Sequence, residues 1–135
     1  MQSQETPNTS AVNTALVAFA EGNIDGFLAQ FEEDAKWRRS DLLPEAGTYE
    51  GRAAIGGLIK SILERLGGRL HILELTLYGA GEHVFADYTV SPSSDPMDDG
   101  STHVLTTFDV VLGKIREARE FAFRVRADTT DLGTD

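Results

Sequence analysis

Glu120 is the residue whose type and position most favour proton-transfer chemistry in this sequence. It lies in residues 115–125 (IREAREFAFRV), whose alternating pattern predicts a β-strand. On that strand it shares a face with Ala118 and Ala122, and such small side chains leave the room that a pocket requires. A carboxylate in a pocket is suited to move protons near neutral pH. Two phenylalanines occupy the opposite face, so the alternative that Glu120 points to water stays open.

Tyr88 and His103 are the further candidates for catalysis. A phenol in a pocket donates a hydrogen bond to a developing oxyanion or stacks on an aromatic substrate. Histidine titrates near neutral pH, so His103 would relay protons with Glu120 or Tyr88. The alternatives are an ordinary strand or interface tyrosine and a surface histidine. In a regular strand, His103 and Thr106 face opposite sides of the sheet. A β-bulge would be needed to turn both side chains toward one pocket.

Four residues are candidates for substrate binding, and aromatic and cationic side chains dominate among them. Trp37, the single tryptophan, would form a flat apolar wall, with core packing as its alternative role. Tyr49, in the loop before the third helix, would supply a hydroxyl, and Phe108 adds a further aromatic ring. Arg38 and Arg39 would bind an anionic group bidentately. Adjacent strand residues face opposite sides, so at most one enters the pocket, and we assign Arg39.

Three helices are predicted to position these residues. Ser10 is predicted to cap the first helix, which Gly22 ends. Asn23 is predicted to cap a short second helix, and a strong apolar stripe at helical spacing opens near Arg52. Residues 1–9 are polar and are interpreted as a disordered tail.

The pattern changes from helical to alternating after the third helix. The predicted strands are 34–39, 69–78, 83–90, 102–112 and 115–125, while residues 40–51 and the ten residues of SPSSDPMDDG are predicted loops. This order predicts an α+β fold in which three helices pack on a curved antiparallel sheet, forming a cone with an apolar pocket. The domain is expected to span 10–127, followed by a polar tail over 128–135.

The composition excludes several classes of function. A chain of 135 residues fits one domain, and the absence of cysteine excludes disulfides and thiolate catalysis. With three scattered histidines, we expect neither a metal nor another cofactor. A net charge of −10 disfavours nucleic acid as a partner. The sequence lacks a long apolar run and a signal peptide, so we expect a cytoplasmic protein without a membrane partner.

Residues 19–59 (FAEGNIDGFLAQFEEDAKWRRSDLLPEAGTYEGRAAIGGLI) carry a resemblance to a known family. The EGNIDGF turn, the EEDAKW strand entry and the Gly-x-Tyr-x-Gly-Arg-x-Ala-Ile helix start resemble the front half of SnoaL-like proteins. These belong to the nuclear-transport-factor-2-like superfamily, with ketosteroid isomerase, limonene epoxide hydrolase and polyketide cyclases. The resemblance covers about residues 10–125 and implies the fold more specifically than the reaction.

The resemblance transfers only one acid/base residue. Ala15, Arg39 and Thr106 occupy the positions of the three functional residues of ketosteroid isomerase, so steroid isomerisation by that mechanism is not expected. Of the epoxide hydrolase set, the final carboxylate keeps its type as Glu120. That position also resembles the acid/base aspartate of SnoaL-type cyclases.

Together these observations predict a cofactor-independent acid/base cyclase or isomerase. Its substrate would be an apolar polycyclic or aromatic metabolite of secondary metabolism, undergoing epoxide opening or ring closure. The alternative is a non-catalytic module of the same fold, for small-molecule binding or dimerisation. A Glu120 exposed to solvent, or locked to an arginine such as Arg124, would favour that alternative. The resemblance also implies a homodimer formed through the outer face of the sheet.

Overall fold

The computed structural model describes residues 6–68 and 70–125, the last two without their side chains. The helices are α1 (Pro7–Ala20), α2 (Ile24–Leu28) and α3 (Arg52–Arg65). The strands are β1 (Phe31–Arg39), β2 (Gly47–Glu50), β3 (His71–Ala80), β4 (His83–Ser91), β5 (Thr102–Val111) and β6 (Lys114–Val125). No helix in these ranges is long and apolar enough to cross a membrane.

The predicted α+β fold is confirmed: three helices pack on one curved sheet of six strands. The strand order is β2-β1-β6-β5-β4-β3. Each neighbouring pair is antiparallel except β1 and β6, which run parallel. This parallel pairing places Arg39 of β1 directly opposite Glu120 of β6. Two residues that are 81 positions apart in the chain therefore become neighbours.

The start of the first helix differs from the prediction. Helix α1 begins at Pro7, and Thr6 rather than Ser10 is its N-cap. The Thr6 side chain accepts a hydrogen bond from the backbone N–H of Thr9, whose own side chain accepts one from the Thr6 backbone. This reciprocal capping box explains the earlier start, so part of the predicted tail 1–9 is helical. Residues 1–5 and the predicted tail 128–135 lie outside the described residues.

Residues 40–51, predicted as a loop, contain the short strand β2. It pairs antiparallel with β1, with Trp37 opposite Tyr49 and Arg39 opposite Gly47. The strand has only four residues and lies in a segment with glycines and a proline, so its alternation is too short to predict a strand. The strand makes residues 40–46 the loop of a β-hairpin, and this loop borders the cavity described below.

The inner face of the sheet carries successive rows of side chains across the strands. One row contains Trp37, Ala118 and Phe108. The rings of Trp37 and Phe108 pack edge to face, with their centroids 6.0 Å apart. The next row toward the end of β1 contains Arg39 and Glu120. Aromatic residues therefore fill the interior on one side of the Arg39–Glu120 row. The cavity lies on the other side.

Candidate functional site

A cavity of about 430 Å³ lies between the helices and the inner face of the sheet. Its walls come from α1, α3, the 40–46 loop and the ends of β4 and β5. The apolar lining includes Phe19, Leu43, Ile62, Leu66, Val90 and Val104. Three charged residues, Arg39, Arg65 and Glu120, also line it. Such a volume, apolar on most sides with a few polar groups, is typical of small-molecule sites.

Glu120 lies on the inner face of β6, with only 6% of its side chain exposed. Its Oε1 atom accepts a hydrogen bond from Trp37 Nε1 at 3.0 Å and another from Arg39 Nη1 at 2.7 Å. Both donors bind the same oxygen. Within the described part of the chain, no hydrogen bond is made to Oε2. Trp37 and Arg39 thus fix the orientation of the carboxylate through Oε1.

Arg39 connects the cavity lining to the 40–46 loop. Its guanidinium is as buried as Glu120. In addition to the Glu120 contact, Nε donates to the Pro44 carbonyl at 2.6 Å, and Nη2 lies 3.8 Å from Glu45 Oε1. Arg38 faces the other side of the sheet and pairs with Glu117. Of the two arginines, Arg39 therefore reaches the cavity.

Tyr88 lies next to the cavity lining, on the inner face of β4. It is buried, and its hydroxyl is 2.9 Å from Thr106 Oγ1. Burial, followed by the negative charge of Glu120, raises the pKa of Tyr88 well above its usual value. The phenol stays protonated and contacts Thr106 rather than the open space. The structure therefore gives Tyr88 a place in the wall behind the site.

His103 lies on the outer face of the sheet. Its Nε2 is 2.6 Å from Asp87 Oδ1, and its ring packs edge-on against Phe123 with the centroids 5.0 Å apart. The register of β5 against β6 does shift after His103, but the side chain remains on the face opposite Thr106. The structure does not bring His103 together with Glu120 or Tyr88.

The remaining predicted binding residues support the cavity from outside its lining. Trp37 and Phe108 are buried in the aromatic core, where only the indole N–H of Trp37 reaches the site. The Tyr49 hydroxyl donates to the Glu45 carbonyl at 2.6 Å and so holds the 40–46 loop.

Two further charged residues at or beside the cavity, Arg65 and Glu45, were not predicted from the sequence. Arg65 Nη2 lies 3.0 Å from Glu45 Oε1, and Arg65 Nε lies 3.2 Å from Glu45 Oε2. Arg65 follows Ile62 by three residues, which places both on one face of α3 and would have been a usable signal. The position of Glu45 depends on the hairpin with β2, which the sequence pattern did not predict.

The site consists of one carboxylate and two guanidinium groups in an apolar wall. Among residues 6–68 and 70–125, no group of three or more histidine or acidic side chains is placed to hold a metal ion. The chemistry available from the chain itself is proton transfer by Glu120 and binding of negative charge by the arginines.

The fold and the cavity define a class: small α+β domains with a pocket between the helices and a curved sheet. The family model of the SnoaL-like domain matches residues 12–118. The chain therefore belongs to the SnoaL-like family, and the resemblance predicted from the sequence is confirmed.

Several solved structures have a similar fold. Bal32a, from a soil-derived mobile gene cassette, has a TM-score of 0.76 and 20% identity, with 90% of this chain and 92% of Bal32a covered. An NTF2-like protein from Burkholderia xenovorans LB400 has a TM-score of 0.71 and 22% identity, covering 92% and 95%. TerC, co-crystallised with polyporic acid, has a TM-score of 0.66 and 20% identity, covering 96% and 97%. At these identities the likeness concerns the fold alone. No curated protein matches the sequence.

Proposed function

We propose that this protein binds a small, largely apolar molecule in its cavity and transfers a proton with Glu120. The reaction class is a cofactor-independent cyclisation or isomerisation of a polycyclic or aromatic metabolite, including epoxide opening or ring closure, in secondary metabolism. The observation that carries the proposal is the buried Glu120 carboxylate, which lines the cavity and whose Oε2 receives no hydrogen bond from the described side chains.

The contacts of Glu120 support a role as proton acceptor. Trp37 and Arg39 hold Oε1, so the carboxylate keeps one orientation while a substrate binds. Oε2 is then the atom that takes the proton. The apolar walls exclude water from the reacting atoms and restrict the substrate to a reactive pose, which contributes to the rate through positioning.

A second candidate function, non-catalytic binding, is favoured by one specific observation. The Arg39 guanidinium lies 2.7 Å from the Glu120 carboxylate, with both side chains buried. An ion pair of this kind also suits a purely structural or ligand-orienting role. In addition, neither Tyr88 nor His103 supplies a second proton-transfer group in the cavity lining.

A proton-abstraction assay with nitrobenzisoxazole separates the two candidates. When a base removes the ring C–H proton, the electron pair of that bond forms a nitrile. The N–O bond breaks at the same time, and the product is a coloured cyanophenolate. We expect the wild type to accelerate this reaction and Glu120→Gln to lose about 100-fold of the acceleration. Glutamine keeps an acceptor oxygen for Trp37 and Arg39 but removes the base.

The matched control is Glu117→Gln on the same strand. Glu117 pairs with Arg38 on the outer face, so this variant should retain the wild-type rate. Binding is followed separately through the fluorescence of Trp37, whose indole contacts the site. If the compound binds but reacts no faster with the wild type than with Glu120→Gln, the non-catalytic candidate is correct.

We further propose that a second copy of this chain covers the outer face of the sheet. Large aromatic side chains are exposed there: Tyr78, Phe85, Phe121 and Phe123. An exposed apolar patch of this kind is typical of an interaction surface.

Light scattering should give the mass of a dimer for the wild type and of a monomer for Phe121→Lys. Leu112→Lys, in the turn between β5 and β6, is the control and should remain dimeric; a monomeric wild type would contradict the proposal.

A further inference from the structure

We propose that the cavity is specific for amphipathic anions, with the anionic oxygens of the ligand bound between Arg39 and Arg65 in the place that Glu45 now occupies. The apolar body of such a ligand lies against the helices, and a carboxylate or similar oxyanion lies at the end of the cavity that the two arginines line. This inference rests on the proposed binding of a small molecule in the cavity, and it adds the chemical class of that molecule.

Glu45 shows that a carboxylate fits between the two arginines. Its Oε1 lies 3.0 Å from Arg65 Nη2 and 3.8 Å from Arg39 Nη2, while Oε2 lies 3.2 Å from Arg65 Nε. Both arginines line the cavity, whereas Glu45 reaches them from the 40–46 loop. The Glu45 side chain therefore occupies a position that a ligand anion entering from the cavity would share.

Among the described residues, Arg39 makes no hydrogen bond through Nη2. Nη1 binds Glu120 and Nε binds the Pro44 carbonyl, but the 3.8 Å separation between Nη2 and Glu45 is too long for a hydrogen bond. An oxyanion closer to Nη2 would form a charge-assisted hydrogen bond in a place shielded from water. Glu120 already neutralises part of the charge of Arg39, so Arg65 must supply the remaining attraction.

The contact between Glu45 and Arg65 is easily replaced. Of the two side chains, 24% of Glu45 and 39% of Arg65 are exposed, and ion pairs this open to solvent contribute little to stability. Glu45 also has a φ of 56°, in the left-handed region that side chains disfavour. The Tyr49 hydroxyl holds its carbonyl, so the backbone of the loop remains anchored when the side chain moves away.

The wall of the cavity determines the rest of the ligand. Phe19 of α1, Ile62 of α3 and Val104 of β5 present apolar surface on three sides. An apolar body is therefore needed to fill the volume, since a small hydrophilic anion would leave these side chains uncovered. The combination of an apolar lining with two guanidinium groups at one end matches an amphipathic anion.

Two dyes with the same ring system test this proposal. Anilinonaphthalene sulfonate is anionic, whereas N-phenylnaphthylamine has the same rings without the sulfonate, and both become fluorescent on leaving water. Their dissociation constants are measured for the wild type, Arg65→Gln and Glu45→Gln, with Arg38→Gln on the outer face as the control. Circular dichroism verifies that each variant is folded.

The proposal predicts opposite effects for the two charge variants. Arg65→Gln should weaken binding of the sulfonate about fivefold, because one guanidinium is lost. Glu45→Gln should tighten it by a similar factor, because the competing carboxylate is gone. The neutral dye should respond to neither variant, and Arg38→Gln should change neither dye. If Arg65→Gln does not fold, Glu45→Gln is a sufficient test by itself. Tighter binding of the sulfonate by this variant cannot result from a loss of folding.

Two different failures are distinguishable. If the neutral dye binds while the sulfonate is indifferent to both charge variants, the proposed specificity for anions is wrong but binding of apolar molecules stands. If neither dye binds the wild type, both the anion specificity and the proposed small-molecule function are wrong. Equal shifts of the two dyes in Glu45→Gln would likewise overturn the anion specificity.

Discussion

Two arginine–glutamate pairs connect β1 with β6, one on each face of the sheet. On the outer face, Arg38 Nε lies 2.6 Å from Glu117 Oε2, and 49% of the Arg38 side chain is exposed. On the inner face, Arg39 Nη1 lies 2.7 Å from Glu120 Oε1, and 5% of the Arg39 side chain is exposed. The residue types, the strands and the distances are nearly the same. Only the surroundings differ.

The comparison shows that burial, rather than distance, determines what an ion pair does. In a single copy of the chain, water reaches about half of the Arg38 side chain and screens the outer pair, so this pair contributes little to stability. The inner pair has lost its water and depends on other partners, the Trp37 indole and the Pro44 carbonyl. Because it is buried at the edge of a cavity, the inner pair is also the one that can act on a bound molecule.

The largest expected difference between the faces is in stability. Arg39→Met leaves the buried Glu120 carboxylate without its cation and should lower the free energy of unfolding by about 3 kcal/mol. Arg38→Met on the outer face should lower it by less than about 1 kcal/mol. Urea denaturation, followed by the fluorescence of Trp37, measures both. Equal losses would contradict the distinction between the two pairs.

A second prediction concerns the coupling within each pair. Replacing both inner partners by apolar residues, in Arg39→Met with Glu120→Leu, removes the unpaired charge that each single variant leaves. The double variant should therefore be about 2 kcal/mol more stable than the sum of the single losses predicts. The same cycle for Arg38 and Glu117 should give a coupling below about 1 kcal/mol. A larger coupling on the outer face would show that solvent screening does not separate the faces.

The third prediction uses the two tyrosines on opposite faces, Tyr88 inside and Tyr78 outside. Burial raises the pKa of Tyr88 in the folded protein, while in the unfolded chain it stays near 10.0. Above pH 10.0, Tyr88 loses its proton in the unfolded chain but keeps it in the folded protein. The free energy of unfolding therefore falls as the pH rises above that value, by about 1.4 kcal/mol per pH unit.

This loss is measured by urea denaturation at pH values one unit below and one unit above 10.0. Tyr88→Phe should remove most of the difference between the two conditions, because the group that ionises in the unfolded chain is gone. Tyr78→Phe is the control; it is measured in the Phe121→Lys background, where the outer face is open to water, and should keep the dependence of that background. If Tyr88→Phe also keeps it, the buried phenol is not its source.

The sequence predicted what depends on local patterns. The shared face of Glu120 and two alanines favoured a pocket position over the alternative that Glu120 points to water, and the adjacency of Arg38 and Arg39 predicted that at most one of them would reach the pocket. The helical spacing along α3 predicted its buried stripe. These features require only neighbours within one helix or strand, so the pattern contains them.

The sequence did not predict what depends on distant pairing. The contact between Arg39 and Glu120 arises because β1 pairs in parallel with the last strand, and no local signal specifies that partner. Glu45 is placed by a hairpin with a strand of four residues. His103 needed a β-bulge to reach the site, and the register shift that follows it in the pairing of β5 with β6 leaves it on the face opposite Thr106.

The smallest expected effect belongs to the His103–Asp87 pair on the outer face. Both side chains are substantially exposed, so His103→Gln should change the free energy of unfolding by less than about 0.5 kcal/mol. It should also leave the nitrobenzisoxazole rate unchanged, because the histidine contacts Asp87 and Phe123 rather than the cavity. Asp87→Asn should behave in the same way. A loss of rate in His103→Gln with normal folding and mass would show that the outer face takes part in catalysis, and the separation between the two faces would then be wrong.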